Sequence, residues 1–293
     1  MRNYAFASFF TLLSVQWVLA HPSVLSKEII DLTHPFGNNL TLTWPTNSAY
    51  NFQMGPRGFN EAIGSWYESN DFSQAEHSGT HTDAPSHFAQ GKWRLGDIPV
   101  EKLIGPGIVI DISGKAMSNK DAQLSLEDVQ KWEEKFGKIP TGAILIMYSG
   151  TGKLYANKTA YFGYPEERMQ DPKDVKNLHF PGIAPETADW LVQNRQIHGT
   201  GVDTASVDFG QSRDFKTHQI FAAQNIWGLE NLNNVDKLPP LGFTVYNMAY
   251  FGSEGSGGPS RVIAVIESVT SAGSKQFTRA ALFGTLMIFL QIF

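Results

Sequence analysis

The chain contains no cysteine. Disulfides, thiolate metal ligands and a cysteine nucleophile are all excluded, so fold and chemistry rest on other residues. Positive charge is also scarce: 23 Lys and Arg stand against 28 Asp and Glu, a net charge of −5, with no basic run. That balance argues against a nucleic-acid partner, because phosphate binding needs clustered cations. Histidine is rare, at 8 in 293 residues. No internal repeat or low-complexity segment interrupts the chain, and long apolar runs are confined to its ends.

At the N-terminus, Arg2 precedes an apolar run from Tyr4 to Leu19, and Val18-Leu19-Ala20 fits a small-residue cleavage site. Residues 1–20 are therefore expected to be a signal peptide, with His21 as the mature start; the run is short for a membrane span. The sequons Asn39-Leu40-Thr41 and Asn157-Lys158-Thr159 agree with a secreted glycoprotein. At the other end, a small-residue cluster, Ser271 to Ser274, and a polar spacer lead into AALFGTLMIFLQIF. Residues 272–293 fit a GPI-attachment signal, which predicts a protein tethered at the cell surface; a C-terminal helix docked on the domain is the competing reading.

Between these ends, residues 22–271 are expected to form one α/β domain with a mixed sheet and flanking helices. Four short runs rich in β-branched residues predict buried strands: Gly107–Asp111, Ala143–Tyr148, Phe243–Tyr246 and Val262–Ile266. Ser125 and Asp128 mark the start of a helix that carries Leu126, Val129 and Trp132 to Phe136, with Gly137 ending it. Pro185 opens a second helix through Ala188, Leu191 and Val192.

Three of the scarce histidines fall in one short stretch, HSGTHTDAPSHF, residues 77–88. His77, His81, Asp83 and His87 share parity, so an extended chain presents them on one face. Positions four apart in a straight strand are about 13 Å apart. Ligands of one ion cannot span that distance, so the chain must bend, and Gly79 permits it. Two histidines and a carboxylate are the ligand types of a catalytic divalent-metal site with open positions. A histidine outside the ligand set, His87, is suited to moving protons.

This stretch resembles the HxGTHxDxPxHF signature of the cyclase-like metal-dependent amidohydrolases, which include bacterial-type kynurenine formamidase and isatin hydrolase. EIIDLTH, residues 28–34, is similar to the family's opening strand. Gly201 to Asp208 is similar to its Asp-x-x-Ser-x-Asp segment, and Gly258-Pro-Ser-Arg261 to its late Pro-x-Arg turn. The run from Thr217 to Leu232 resembles the segment that holds a further His and Glu. The resemblance implies a swivelling β/β/α-like fold and a homo-oligomer. It also implies one or two Zn2+ or Mn2+ ions, with His77, His81 and Asp83 on the first and Asp83, His218 and Glu230 on a second. His87 is then the catalytic proton donor and acceptor. Asp203 and Asp208 are each readable as the partner of a ligand histidine or as a turn cap. Arg261 is readable as a carboxylate binder or a structural ion pair, and Glu76 as a group supporting the ligands.

The expected activity is metal-dependent hydrolysis of a C–N bond in a small amide or lactam, an aryl formamide for example. One departure from the family bears on the substrate. After Tyr148 family members often carry a Thr-Gly-Trp run, whereas this chain reads Ser149-Gly-Thr-Gly-Lys153. The segment is expected near the substrate, so the missing tryptophan argues against formylkynurenine. The competing reading from another class is a catalytically silent extracellular binding protein that keeps the metal. A purely structural zinc site is disfavoured, since such sites are closed by four Cys or His ligands.

Overall fold

The computed structural model describes residues 24–164 and 177–270; the expected signal peptide and C-terminal tail lie outside the described residues. A compact unit spans Lys27–Glu267. Among the described residues, no helix is long and apolar enough to cross a membrane.

Twelve strands and five α-helices are described: β1 Val24–Asp31, β2 Asn51–Asn60, β3 Ser65–Ser73, β4 His81–Asp83, β5 Ile104–Asp111, α1 Ser113–Ser118, β6 Gln123–Leu124, α2 Leu126–Phe136, β7 Ile144–Tyr148, α3 Lys158–Phe162, β8 Gly182–Ile183, α4 Pro185–Asn194, β9 Gly199–Val202, α5 Lys216–Ala223, β10 Trp227–Glu230, β11 Phe243–Ala249 and β12 Gly257–Thr270. The main sheet runs β1-β12-β11-β5-β7-β9-β10-β4, and β4 pairs back onto β12. That last pairing closes seven strands into a barrel-like ring. The four strands β5, β7, β9 and β10 are parallel; β11 and β4 join them antiparallel.

Strand alternation divides the core. Val109, Ile144, Ile146, Leu229, Val245 and Val262 point into the ring. Their neighbours Ile108, Ile110, Leu145 and Met147 point outward and are covered by Val129, Trp132, Leu191 and Phe221 from α2, α4 and α5. Both faces of β5 and β7 are thus buried, which is why these strands read as unbroken apolar runs. The expected strands all form, and three extend: Gly107–Asp111 begins earlier, at Ile104, Phe243–Tyr246 continues to Ala249, and Val262–Ile266 lies inside the longer β12.

Helix α2 starts where its capping residues dictate. Ser125 Oγ accepts from the Asp128 amide, Asp128 accepts from the Ser125 amide, and Gly137 ends the helix at φ 91°. In α4, Pro185 stands in the first turn as expected, and the helix stops at Asn194.

Candidate metal centre

Strand β4 is only three residues long, and each is buried. Its brevity follows from the glycine before it: Gly79 adopts φ 59°, and a Cβ there would sit 2.8 Å from the Phe36 ring. The backbone turns at this point, so His77 and His81 face each other with ring centroids 5.3 Å apart. The expected bend is present.

Register then assembles the site. Opposite His81 on β10 stands Glu230, and opposite Asp83 stands Gly228, which adds no side chain to that face. From α5, His218 places Nε2 3.1 Å from Asp83 Oδ2 and 3.1 Å from Glu230 Oε1. His77 Nδ1 lies 2.6 Å from Asp83 Oδ1, and His81 Nε2 lies 3.2 Å from Asp83 and 3.5 Å from Glu230. His87 ends the turn Pro85–His87 and stacks on His77 at 3.8 Å. All six residues singled out from the sequence therefore meet. The grouping is tighter than expected: potential ligand atoms of His77, Asp83 and His87 converge, as do those of His81, Asp83 and Glu230.

Each of the three imidazoles round Asp83 is tethered at one nitrogen, which leaves the other facing the carboxylates. His81 Nδ1 lies 2.9 Å from the Gly79 carbonyl, which can only accept, so Nδ1 carries the proton and Nε2 faces inward. His218 Nδ1 donates to Asp208 at 2.6 Å. His77 Nε2 lies 3.0 Å from Ser256 Oγ, which in turn donates to Glu76 at 2.8 Å. Ser256 must then accept from His77, so Nδ1 is the ring nitrogen left facing Asp83. Such tethers are how proteins orient metal-binding histidines. Gly257 is required by the same packing, because a Cβ there would lie 2.5 Å from the His77 ring.

The electrostatics tell the same story. Burial opposes charge on His81, yet Asp83 and Glu230 raise its pKa to about 9. His218 is also raised, its burial outweighed by hydrogen bonds to Asp208, Asp83 and Glu230. Asp83 is held well below the usual carboxylate range despite burial, by the histidines round it. Glu230 moves the opposite way, pushed up by burial and by the charge of Asp83. Burial lowers the pKa of His87 to about 4. A cavity that concentrates negative charge enough to protonate buried imidazoles is one where a dication can displace those protons. The residues fit such an ion: His81 Nε2 is buried with no hydrogen-bond partner, although two carboxylates lie within 3.5 Å.

Sequence reasoning left two aspartates undecided, and the structure separates them. Asp208 accepts from His218 and from the Thr217 and His218 amides, so it anchors α5 and its histidine together. Asp203 instead accepts from the amides of Ser149, Gly150 and Gly152 and from Ser149 Oγ, and so caps that turn. Arg261 forms an exposed two-pronged ion pair with Asp31, away from the cluster. The Ser149–Lys153 turn does not line the histidine cavity. Gly152 and Lys153 border an adjoining groove of about 910 Å³, which meets the cavity along Leu42, Thr43, Trp44 and Asn47.

The cavity itself, about 240 Å³, has aromatic walls of Trp44, Phe162 and Phe215 beside Phe88. Trp44, Phe162, Phe215 and Asn231 escaped the sequence reading. A single bridge between Thr43 and Ser78 lays Trp44 over the site, and no local pattern announces it. Asn231 had a faint signal in its position beside Glu230. It adopts φ 57°, and its side chain donates to the Gly79 carbonyl and accepts from Tyr161.

Comparison with known proteins agrees with this geometry. Isatin hydrolase of Roseibium aggregatum is 28% identical over 251 residues, covering 82% of this chain and 92% of its own. Kynurenine formamidase of Bacillus cereus is 25% identical over 209 residues, covering 71% and 83%. Among solved structures, isatin hydrolase A from Ralstonia solanacearum superposes with a TM-score of 0.71 at 29% identity, covering 82% of this chain and 92% of that one. An isatin hydrolase bound to the product analogue thioisatinate gives 0.73 at 26% identity, covering 83% and 93%. A family model described as putative cyclase matches residues 30–209. The chain belongs to the putative cyclase family.

Proposed function

We propose that this protein is a metal-dependent hydrolase that cleaves the C–N bond of a small aromatic amide or lactam. One observation carries the reading: three imidazoles, each fixed by a different tether, aim their remaining nitrogens at Asp83 and Glu230. His77, His81, Asp83, His218 and Glu230 would hold the cation, and a set of nitrogen and carboxylate ligands suits Zn2+ or Mn2+. When bound, such an ion supplies Lewis-acid chemistry, acidifying water and polarising a carbonyl.

The chain's own groups do the rest. His87 lines the cavity, and burial, which lowers its pKa, keeps the ring neutral at pH 7, with one nitrogen unprotonated. In this role it takes the proton from attacking water and returns it to the departing nitrogen. Trp44, Phe88, Phe162 and Phe215 exclude bulk water and match a flat aromatic substrate. The isatin hydrolase relatives support a lactam; the turn without tryptophan does not line the cavity and so does not bear on formylkynurenine. The same proposal places the protein outside the cell, supported by its N-terminal pattern and by the exposure of both sequon asparagines, Asn39 and Asn157.

The test is elemental analysis of the purified protein, followed by assay on isatin-like lactams, aryl formamides and simple esters. Stoichiometric metal with lactam or formamide turnover is expected, and His87→Ala should keep the metal while losing turnover. A metal-replete protein inactive on the whole panel would turn the reading towards the silent binding protein.

A further inference from the structure

We propose that the groove adjoining the histidine cavity is a subsite for a carboxylate-bearing arm of the substrate, which narrows the substrate class to an aromatic lactam or amide with an acidic side chain. The inference rests on the function proposed above and deepens it. The cavity, about 240 Å³ and walled by aromatic rings, suits the flat ring system. The groove beyond it is about 910 Å³ and has amide, hydroxyl and ammonium groups in its walls. The two meet along Leu42, Thr43, Trp44 and Asn47, so a substituent on a ring held in the cavity can extend into the groove. Two atoms point to a ligand there. His34, on the groove wall, is only 7% exposed, and among the described residues its buried Nε2 has no hydrogen-bond partner. At the junction with the cavity, Thr43 Oγ1 is likewise buried and unpartnered. Folded chains rarely leave buried polar atoms so, and a polar ligand supplies what the fold does not.

The sign of the ligand's charge follows from the walls. The chain carries more acids than bases, yet no Asp or Glu lines the groove, while Lys153 and Lys158 do. Lys153 is engaged by Asp236 at 3.1 Å, whereas Lys158 has no carboxylate partner among the described residues. The neutral groups are set to donate as well. Asn38 Oδ1 accepts from the Phe52 amide at 2.8 Å and Asn233 Oδ1 from the Asn234 amide at 2.9 Å. Each side chain therefore keeps its NH2 for another partner. Tyr155 Oη accepts from the Leu42 amide at 2.9 Å, and its own proton is left to donate. A wall of donors with an unpaired cation and no carboxylate favours an anion over a neutral polyol.

The experiment is calorimetric titration of the full chain with isatins bearing a carboxyethyl chain, placed in turn on the ring nitrogen and on each free ring carbon, against their methyl esters. Metal-stripped protein is used, so that no advantage of the acid comes from coordination to an ion. At the best position the acid should bind about 10-fold tighter than its ester. Lys158→Glu should bring acid and ester level, and the ester affinity reports whether the variant is folded. Acids that bind no better than their esters at every position overturn the proposal. So does an advantage that Lys158→Glu leaves intact, since the acid is then held by the histidines of the cavity. Turnover by the metal-loaded protein is assayed separately. Acid-selective binding without turnover would keep the subsite and remove the hydrolase reading, and lactam turnover without acid preference would do the reverse.

Discussion

Two buried aspartates five positions apart in one segment, Asp203 and Asp208, have opposite fates. Asp203 is ringed by three backbone amides and a hydroxyl, donors that cannot leave. Burial still pushes its pKa up, so the turn it caps is a closed structural unit. Asp208 faces burial too, but its bond to His218 prevails and holds its pKa down. Its partner is a side chain whose second nitrogen belongs to the metal centre. Fixed partners thus make a buried carboxylate part of the scaffold, while an imidazole partner couples it to chemistry.

The sharpest way to break this contrast lies at the centre itself. His81→Ala should abolish metal uptake in a protein that remains folded, measured by elemental analysis and circular dichroism; full metal content would remove His81 from the ligands. Next in size, Asp203→Ala strands four donors, the two of Ser149 fully buried, and should cost about 3 kcal/mol of stability. Denaturant titration measures this, and the metal content per folded molecule should be unchanged. Asp208→Asn should do the converse, weakening metal binding about 10–100-fold in competition titrations, because His218 loses its orienting carboxylate. A larger loss of stability in Asp208→Asn than in Asp203→Ala would reverse the assignment.

The smallest effect concerns acid stability outside both clusters. His34 lies buried against Tyr155 at 3.6 Å, and burial alone lowers its pKa to about 4. The unfolded chain binds this proton from about pH 6.5 downward, the folded ring only near pH 4. Stability therefore falls as pH drops through that window. His34→Gln should flatten that part of the stability curve relative to wild type; an unchanged slope would show that His34 does not contribute.

The legible parts of the molecule are those whose determinants are local. The apolar runs of β5 and β7 and the Ser125–Asp128 box were readable because burial on both faces and helix capping leave marks within a few residues. The β2–β3 hairpin was not, since Gly55, Pro56 and Gly58 obscure its alternation and its apolar face has no covering element within the described fold. At the site, His77, His81, Asp83 and His87 stood out by spacing. His218 and Glu230 stood out only through family resemblance, and Trp44 not at all.

What the sequence determined by itself is the inventory and the bend. It supplied imidazoles and a carboxylate on one parity, with a glycine able to turn between them, because side-chain alternation and the freedom of φ are properties of the local chain. Only the tertiary structure decided that Glu230 stands opposite His81, that Asp208 serves a histidine while Asp203 caps a turn, and that aromatic rings wall the cavity. Those outcomes depend on β4 pairing with both β10 and β12, strands more than a hundred residues away in sequence. Register between distant strands is set by how the whole core closes, and no short stretch of residues encodes it.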